Sequence, residues 1–322
     1  MILAGIDEAG YGPLLGPLVV GCCAFEIPGE PADELPCLWK SLRKVVSKNR
    51  LKSGRKLHVN DSKMVYSPSI GLHELERAVL AMSVACHGWA DDLPAFVRHT
   101  AAGVMQELDQ YTWYQPFDGE TFPIEQQPAS VRVMANALQV ELQRSDCKLV
   151  HLAARIVHER KFNQMLHQTR NKGAALFSIA ATHIDDMLRL FGNRGLVLFC
   201  DRQGGREHYG TLLRTMFETW SLEIEHEQDG FADYRLTRGA DVVRIIFREK
   251  AESFCMSVAL ASMLSKYLRE ALMTRFNAYW KTHLPELKPT AGYYNDGLRF
   301  LQDIAGKRRE LGIADGDLIR AR

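Results

Sequence analysis

Near its start the chain sets two carboxylates side by side, Asp7 and Glu8, immediately before the turn-forming run Ala9-Gly10-Tyr11-Gly12-Pro13. They close an apolar segment, Met1 to Ile6; Asp201 closes a second one, Leu196 to Cys200; and Glu252 follows a third, Val242 to Phe247, by a few residues. Taking an ionised carboxylate out of water costs several kcal/mol unless something compensates it. Acids of one sign at three strand ends therefore point to a hard divalent cation. Mg2+ or Mn2+ takes oxygen ligands and turns mutual repulsion into shared coordination. The competing reading is that each acid faces solvent or caps the next helix, and spacing alone leaves both open.

Asp7 and Glu8 impose a geometric condition, because neighbours on a regular strand point to opposite faces. Both reach one cluster only if the pleat breaks at Glu8, and Gly10 and Gly12 would permit such a break. These glycines do not make a dinucleotide fingerprint: two acids precede them, Pro13 interrupts them, and no Gly-Lys-Ser/Thr occurs.

The elements that must position these acids follow from the apolar pattern. Met1 to Ile6 and Leu14 to Ile27 read as two buried strands forming a hairpin. Ser69 to Met82 has helical spacing, as does Gly173 to Gly192, which ends on a glycine cap. Leu149 to His158, Gly195 to Asp201 and Asp241 to Arg248 read as further strands, and Ser257 to Phe276 as a strong helix. A last helix follows Ala291-Gly292-Tyr293-Tyr294, and the basic tail is expected to fray. Between Trp89 and Gln143 the pattern weakens, as in an inserted subdomain. The expected fold class is α/β, a mixed central sheet flanked by helices with a C-terminal helical extension.

Composition narrows the class of partner. The 322 residues carry a net charge of only +1, so attraction to a polyanion must come from local patches. One such patch is Lys40 to Lys56, with eight Lys or Arg and no acid in seventeen residues. It reads either as a solvated face or as a phosphate-contacting surface. The seven cysteines are odd in number, with no Cys-x-x-Cys pair, which speaks for a reducing compartment and against a disulfide framework or structural zinc. With no signal-peptide pattern and no apolar stretch long enough to span a bilayer, the expectation is a cytoplasmic protein without membrane attachment.

At this point the residues resemble a known family. "GIDEAGYGPLLGPLVV" is similar to the N-terminal signature of ribonuclease HII, the type 2 ribonuclease H, which reads Asp-Glu-Ala-Gly-Arg-Gly-Pro before a small-residue run. Three further matches follow in the family's order. "NDSKMV" (Asn60 to Val65) resembles its Asp-Ser-Lys segment, "VLFCDRQGG" its strand ending in Asp-Gly, and "KAESFCMSVALASMLSKYLRE" its Lys-Gly-Asp-Ser segment and the helix after it. "AGYY" resembles the family's Gly-Tyr.

The resemblance implies a ribonuclease H-like catalytic domain over residues 1–275, with insertions near 85–148 and 205–240, and a C-terminal helical substrate-contacting region over 276–322. It implies that Asp7, Glu8, Asp201 and Glu252 are the catalytic residues and hold two divalent ions, Mg2+ or Mn2+. They would hydrolyse the RNA strand of RNA-DNA hybrids, or ribonucleotides embedded in duplex DNA, leaving 5′-phosphate ends. Gly10, Tyr11 and Gly12 would sense the 2′-hydroxyl through backbone groups, Lys63 would contact phosphate, and Tyr293 would pack on the neighbouring deoxyribose. No protein partner is implied. Two departures stand out: Tyr11 occupies the family's arginine position, and Glu252 its last aspartate. A non-cleaving hybrid-binding relative, or a nuclease of the same chemistry acting on another nucleic acid, remains the alternative.

Overall fold

The computed structural model describes residues 1–31, 35–51, 54–228 and 230–321. Lys52 of the basic stretch and Arg322 of the tail lie outside the described residues. The hairpin expected from the first two apolar runs is present: β1 (Ile2–Ala9) pairs antiparallel with β2 (Leu18–Glu26), from Ile2 opposite Glu26 to Ala9 opposite Val19. Both strands are buried on both faces, which is why they read as continuous apolar runs rather than as alternation. β3 (Lys148–Val157) flanks β2 at the edge, and β4 (Leu196–Asp201) lies parallel to β1 on its other side. β5 (Ser221–Gln228), β6 (Phe231–Arg238) and β7 (Asp241–Arg248) complete a seven-stranded sheet in the order β3-β2-β1-β4-β7-β6-β5. The two central pairings, β1 with β4 and β4 with β7, are parallel and the outer ones antiparallel.

Helices cover both faces. α1 (His73–His87), α2 (Leu93–Thr100), α3 (Pro128–Arg144) and α6 (Met256–His283) lie on one side; α4 (Glu159–Thr169) and α5 (Lys172–Phe191) lie on the other. The pleat divides the core accordingly. Leu3, Val19 and Cys23 join the α6 layer, whereas Ile2, Ala4, Ile6 and Cys22 join the α5 layer.

α6 approaches β1 very closely. A Cβ on Gly5 would lie 2.2 Å from the Val258 backbone nitrogen, so only glycine allows this contact. The Ser257 hydroxyl donates to the Leu3 carbonyl at 3.0 Å and the Ser265 hydroxyl to that of Asp7 at 3.1 Å. The end of β1 is thereby fixed against the helix that follows Glu252.

Three expectations change. The weak pattern at 89–143 conceals α2 and α3; α3 buries only Val131, Ala135, Leu138, Glu141 and Leu142 and exposes Val133 and Val140, so apolar residues outside the stripe blur it. The expected boundary at residue 275 falls inside α6, which runs unbroken to His283. Beyond it, α7 (Tyr294–Asp303) and two shorter helices form the helical extension. The tail does not fray, since the Arg320 side chain is buried beneath the glycine turn.

Candidate active site

Four acids meet at the carboxyl ends of the central strands. Pairing of β1 with β4 ends at Ile6 opposite Cys200, which sets Asp7 and Asp201 next to each other at the last rung of a parallel pair. Asp201 in turn lies opposite Arg248 of β7. The chain leaves β7 through Lys250 in a left-handed conformation (φ +56°), and the Ala251 amide donates to Asp201 Oδ1 at 3.0 Å. That turn delivers Glu252, which is 8% exposed, to the group. Glu249, the other acid of this turn, keeps a side chain 60% exposed and faces Arg202.

The expected break in the pleat at Glu8 does not occur, because β1 stays paired with β2 through Ala9. Glu8 nevertheless joins the cluster electrostatically. It sits at a level of β1 where β4 has already ended, and Asp201 and Glu252 both act on it.

The electrostatics identify the four as one system. Burial, then Glu8, then Asp201 push the Asp7 carboxyl well above the usual range, against opposing help from Ser262 and from the Glu8 amide, which donates to Asp7 Oδ1 at 2.7 Å. Glu8 is pushed up to about 7 by burial and by Asp201, while Lys63 acts in the opposite sense. Glu252 is pushed up to about 7 by burial, then by Asp201, with Asp61 adding to it. Burial also raises Asp201, with the Ala251 amide and Lys63 opposing. Like charges that cannot all ionise comfortably are the kind of electrostatics that a bound cation would relieve.

The donor set fits such a cation. It is all oxygen, and Glu8 Oε2 and Glu252 Oε2 are buried with no hydrogen-bond partner. The acids are not gathered into a single closed site, in which three ligand atoms would lie within 4.8 Å of one another. The set is spread, as an open arrangement for hard cations can be.

The glycine turn adjoins these acids. Gly10 has φ +88°, and a Cβ there would meet the Pro17 carbonyl at 2.7 Å and Arg269 at 2.9 Å, so this position requires glycine. Two buried arginines organise the turn from below. Arg269 Nη1 donates to the Pro17 carbonyl at 2.5 Å, and its Nη2 to those of Leu15 and Ala291 at 3.0 Å each. Arg320 Nη2 donates to the Gly10 carbonyl at 2.5 Å and its Nε to that of Pro13 at 3.1 Å. Glu159 Oε1 accepts from the Gly16 amide at 3.0 Å and from the Tyr114 hydroxyl at 2.8 Å.

The other expected residues are distributed around this core. Gly12 is exposed with open space beside it. Tyr11 is half-buried, with the Lys172 ammonium 5.0 Å from its ring centroid. Lys63 is exposed in a short helix capped by Asp61, yet its charge reaches both Glu8 and Asp201. Tyr293 is 51% exposed at the start of α7, beside Gly292, which presses on Leu15 of the loop. Within the basic stretch, Lys48 Nζ donates to the Ser253 carbonyl at 2.5 Å, directly after Glu252.

Sequence reading missed Asp61, Arg269, Arg320, Glu159 and Tyr114. Arg269 carried a signal: it is a cation in line with the apolar face of its helix, where only a buried hydrogen-bonding role makes sense. Arg320 carried none, since its partners lie some three hundred positions away in the chain.

No family model matches the chain. It is 48% identical over 60 residues to ribonuclease HII of Methanocaldococcus jannaschii, covering 19% of this chain and 25% of that protein. It is 30% identical over 86 residues to ribonuclease HII of Gluconobacter oxydans, covering 27% and 40%. The aligned segments thus span between a quarter and two-fifths of these relatives, and over them the chain is ribonuclease HII-like. Among solved structures, the PCNA:RNase HII complex from Archaeoglobus fulgidus aligns over 100% of this chain and 95% of that chain, at 15% identity and TM-score 0.43. Bst-RNase HIII in complex with Mn2+ aligns over 99% and 66%, at 14% identity and TM-score 0.44. Among the described residues no helix is long and apolar enough to cross a membrane.

Proposed function

We propose that this chain is a metal-dependent ribonuclease H that hydrolyses the RNA strand of RNA-DNA hybrids, or ribonucleotides embedded in duplex DNA. The observation that carries the reading is the coupling of Asp7, Glu8, Asp201 and Glu252 at the ends of adjacent strands, next to a glycine turn held open to solvent. Sequence likeness to ribonuclease HII over the matched segments supports it.

In this reading the four carboxylates hold two divalent ions, Mg2+ or Mn2+, which when bound supply an activated water and charge stabilisation for the leaving 3′-oxygen. The chain's own groups do the remainder. Gly10 to Gly12 present backbone to the 2′-hydroxyl, the one group that separates ribose from deoxyribose. With no side chain at Gly12 and open space beside it, that backbone can come within hydrogen-bond distance. Tyr293 offers an exposed ring to the sugar beyond the scissile bond. Lys63 and the basic stretch from Lys40 contact phosphates, which gives affinity independent of sequence and weakened by salt. Lys48, anchored beside Glu252, ties that stretch to the catalytic end of the sheet.

The test is cleavage of end-labelled hybrid, single-ribonucleotide duplex and all-DNA duplex, with Mg2+ or Mn2+, by the wild type and by Asp7→Asn. Cleavage only where ribonucleotides are present, lost in the variant, supports the proposal. Binding of hybrid without cleavage under either ion overturns it in favour of a non-cleaving relative. Equal cleavage of all-DNA duplex would instead assign the chemistry to another substrate.

A further inference from the structure

On the α5 face of the sheet, Cys22 of β2, His151 of β3 and His183 of α5 converge. The Cys22 sulfur and one ring nitrogen of each histidine lie within 4.8 Å of one another. Cys22 and His183 are fully buried, and His151 is partly open at the edge strand. β3 and β2 create the pairing: Cys22 lies opposite Ala153, so His151, two residues before it, shares that face.

The two rings carry unused nitrogens. His183 Nε2 sits 3.0 Å from the Val20 carbonyl, which can only accept, so the proton resides on Nε2. His183 Nδ1 is then a bare lone pair, and it is buried without a partner; His151 Nε2 is likewise buried and unpartnered. An imidazole that donates one nitrogen to a backbone carbonyl and keeps the other lone pair free is oriented as metal-ligating histidines are. Burial pushes His183 down to about 3 and His151 down to about 4, so both rings are in the neutral, ligating form at neutral pH, while it pushes the Cys22 thiol strongly up, so the ion has to displace that proton. The nearby Arg155 guanidinium is already paired with Asp186, and its Nε donates to Thr182 at 3.2 Å.

We propose that Cys22, His151 and His183 form a binding site for a zinc-class cation, separate from the carboxylate cluster. One sulfur and two imidazole nitrogens suit Zn2+ rather than Mg2+ or Mn2+. With Zn2+ bonds of about 2.0–2.3 Å, tetrahedral ligand atoms sit roughly 3.3–3.8 Å apart, so a contraction of about 1 Å closes the site. Binding replaces the Cys22 S–H bond by a sulfur–metal bond and releases the thiol proton to solvent; no oxidation is involved. Water takes the fourth position, reached past His151. The ion joins β2, β3 and α5, three elements far apart in the chain, and so staples the edge strand to the helix layer.

The experiment titrates the metal-free full-length chain with Co2+ as a spectroscopic substitute. The expected result is a thiolate-to-Co2+ charge-transfer band saturating at about one ion per chain, displaced by Zn2+. The band should vanish in Cys22→Ser and persist in Cys23→Ser, whose sulfur lies on the opposite face. It should also persist in Asp7→Asn, because the carboxylate cluster contains no thiol. His151→Ala, at the half-open rim, keeps the core intact and should weaken Zn2+ binding by about tenfold or more. Absence of the band in the wild type, its survival in Cys22→Ser, its loss in Asp7→Asn, or unchanged Zn2+ affinity in His151→Ala overturns the proposal.

Discussion

Arg320 donates from Nη2 to the carbonyl of Gly10 at 2.5 Å, so the last turn of the chain holds the backbone of the first glycine loop. The same guanidinium serves Pro13 from below, and the Arg320 amide donates to the Leu14 carbonyl at 2.8 Å. The residue that positions the substrate-facing loop comes from the other end of the chain. Arg320→Ala takes the guanidinium donor from the Gly10 and Pro13 carbonyls while keeping the amide bond to Leu14, and should lower stability by about 2–3 kcal/mol in urea unfolding. On hybrid substrate it should raise KM more than it lowers kcat. Arg320→Lys, which keeps the charge but not the fork, should recover only part of the loss. A wild-type KM in Arg320→Ala would show that the loop needs no such support.

Asp7→Asn removes one charge of the cluster while keeping its shape. Cleavage should fall by about a thousandfold or more, which corresponds to roughly 4 kcal/mol of barrier. Hybrid binding, read by fluorescence anisotropy, should stay within a few-fold, because phosphate contacts lie elsewhere. The metal-free protein should also become slightly more stable, since Asp7 is buried and repelled by Glu8 and Asp201.

The raised carboxylates set a pH dependence that a substitution isolates. Glu8 and Glu252 hold their protons up to about 7 in the folded chain, well above the range of unfolded glutamate. Between about pH 4.5 and 7 these two groups therefore bind more protons in the folded state than in the unfolded one and lose stability as pH rises, whereas the buried His151 and His183 act in the opposite sense below about 6.5. In the absence of divalent cation, Glu8→Gln should therefore gain stability relative to the wild type as pH rises through that window. Added Mg2+ or Mn2+ should offset the wild type's loss, and its apparent affinity should rise with pH over the same interval as protons leave the ligands. Denaturant titrations of both proteins at pH 5 and pH 8, with and without cation, read both effects; a stability difference between them that does not change with pH would contradict them.

Gly5→Ala tests the contact between β1 and α6. The added methyl would sit 2.2 Å from the Val258 nitrogen and 2.5 Å from the Ser257 carbonyl carbon, both backbone atoms that cannot rotate away. A cost of about 3 kcal/mol is expected, read by thermal unfolding. Gly12→Ala, with open space around it, should leave stability unchanged while impairing hybrid cleavage.

Much of the site was legible in the chain because its features are local. A carboxylate at the end of a buried strand is costly enough to announce a partner, and a glycine-rich turn directly after it announces close approach of backbone. Asp7, Asp201 and Glu252 could be picked out on these grounds, and the strands that carry them follow from their apolar runs. The tertiary structure decided what depends on distant pairings. Glu8 couples to Asp201 and Glu252 although β1 stays paired through Ala9 with no break in the pleat. Arg269, Arg320 and Glu159 meet beneath the loop through contacts to residues more than a hundred positions away, and Cys22 meets His151 and His183 on one face of the sheet over a similar separation. Periodicity and turn chemistry report only on near neighbours, whereas a buried arginine finds its carbonyls, and a histidine its sulfur, only once the sheet has brought separate strands into register.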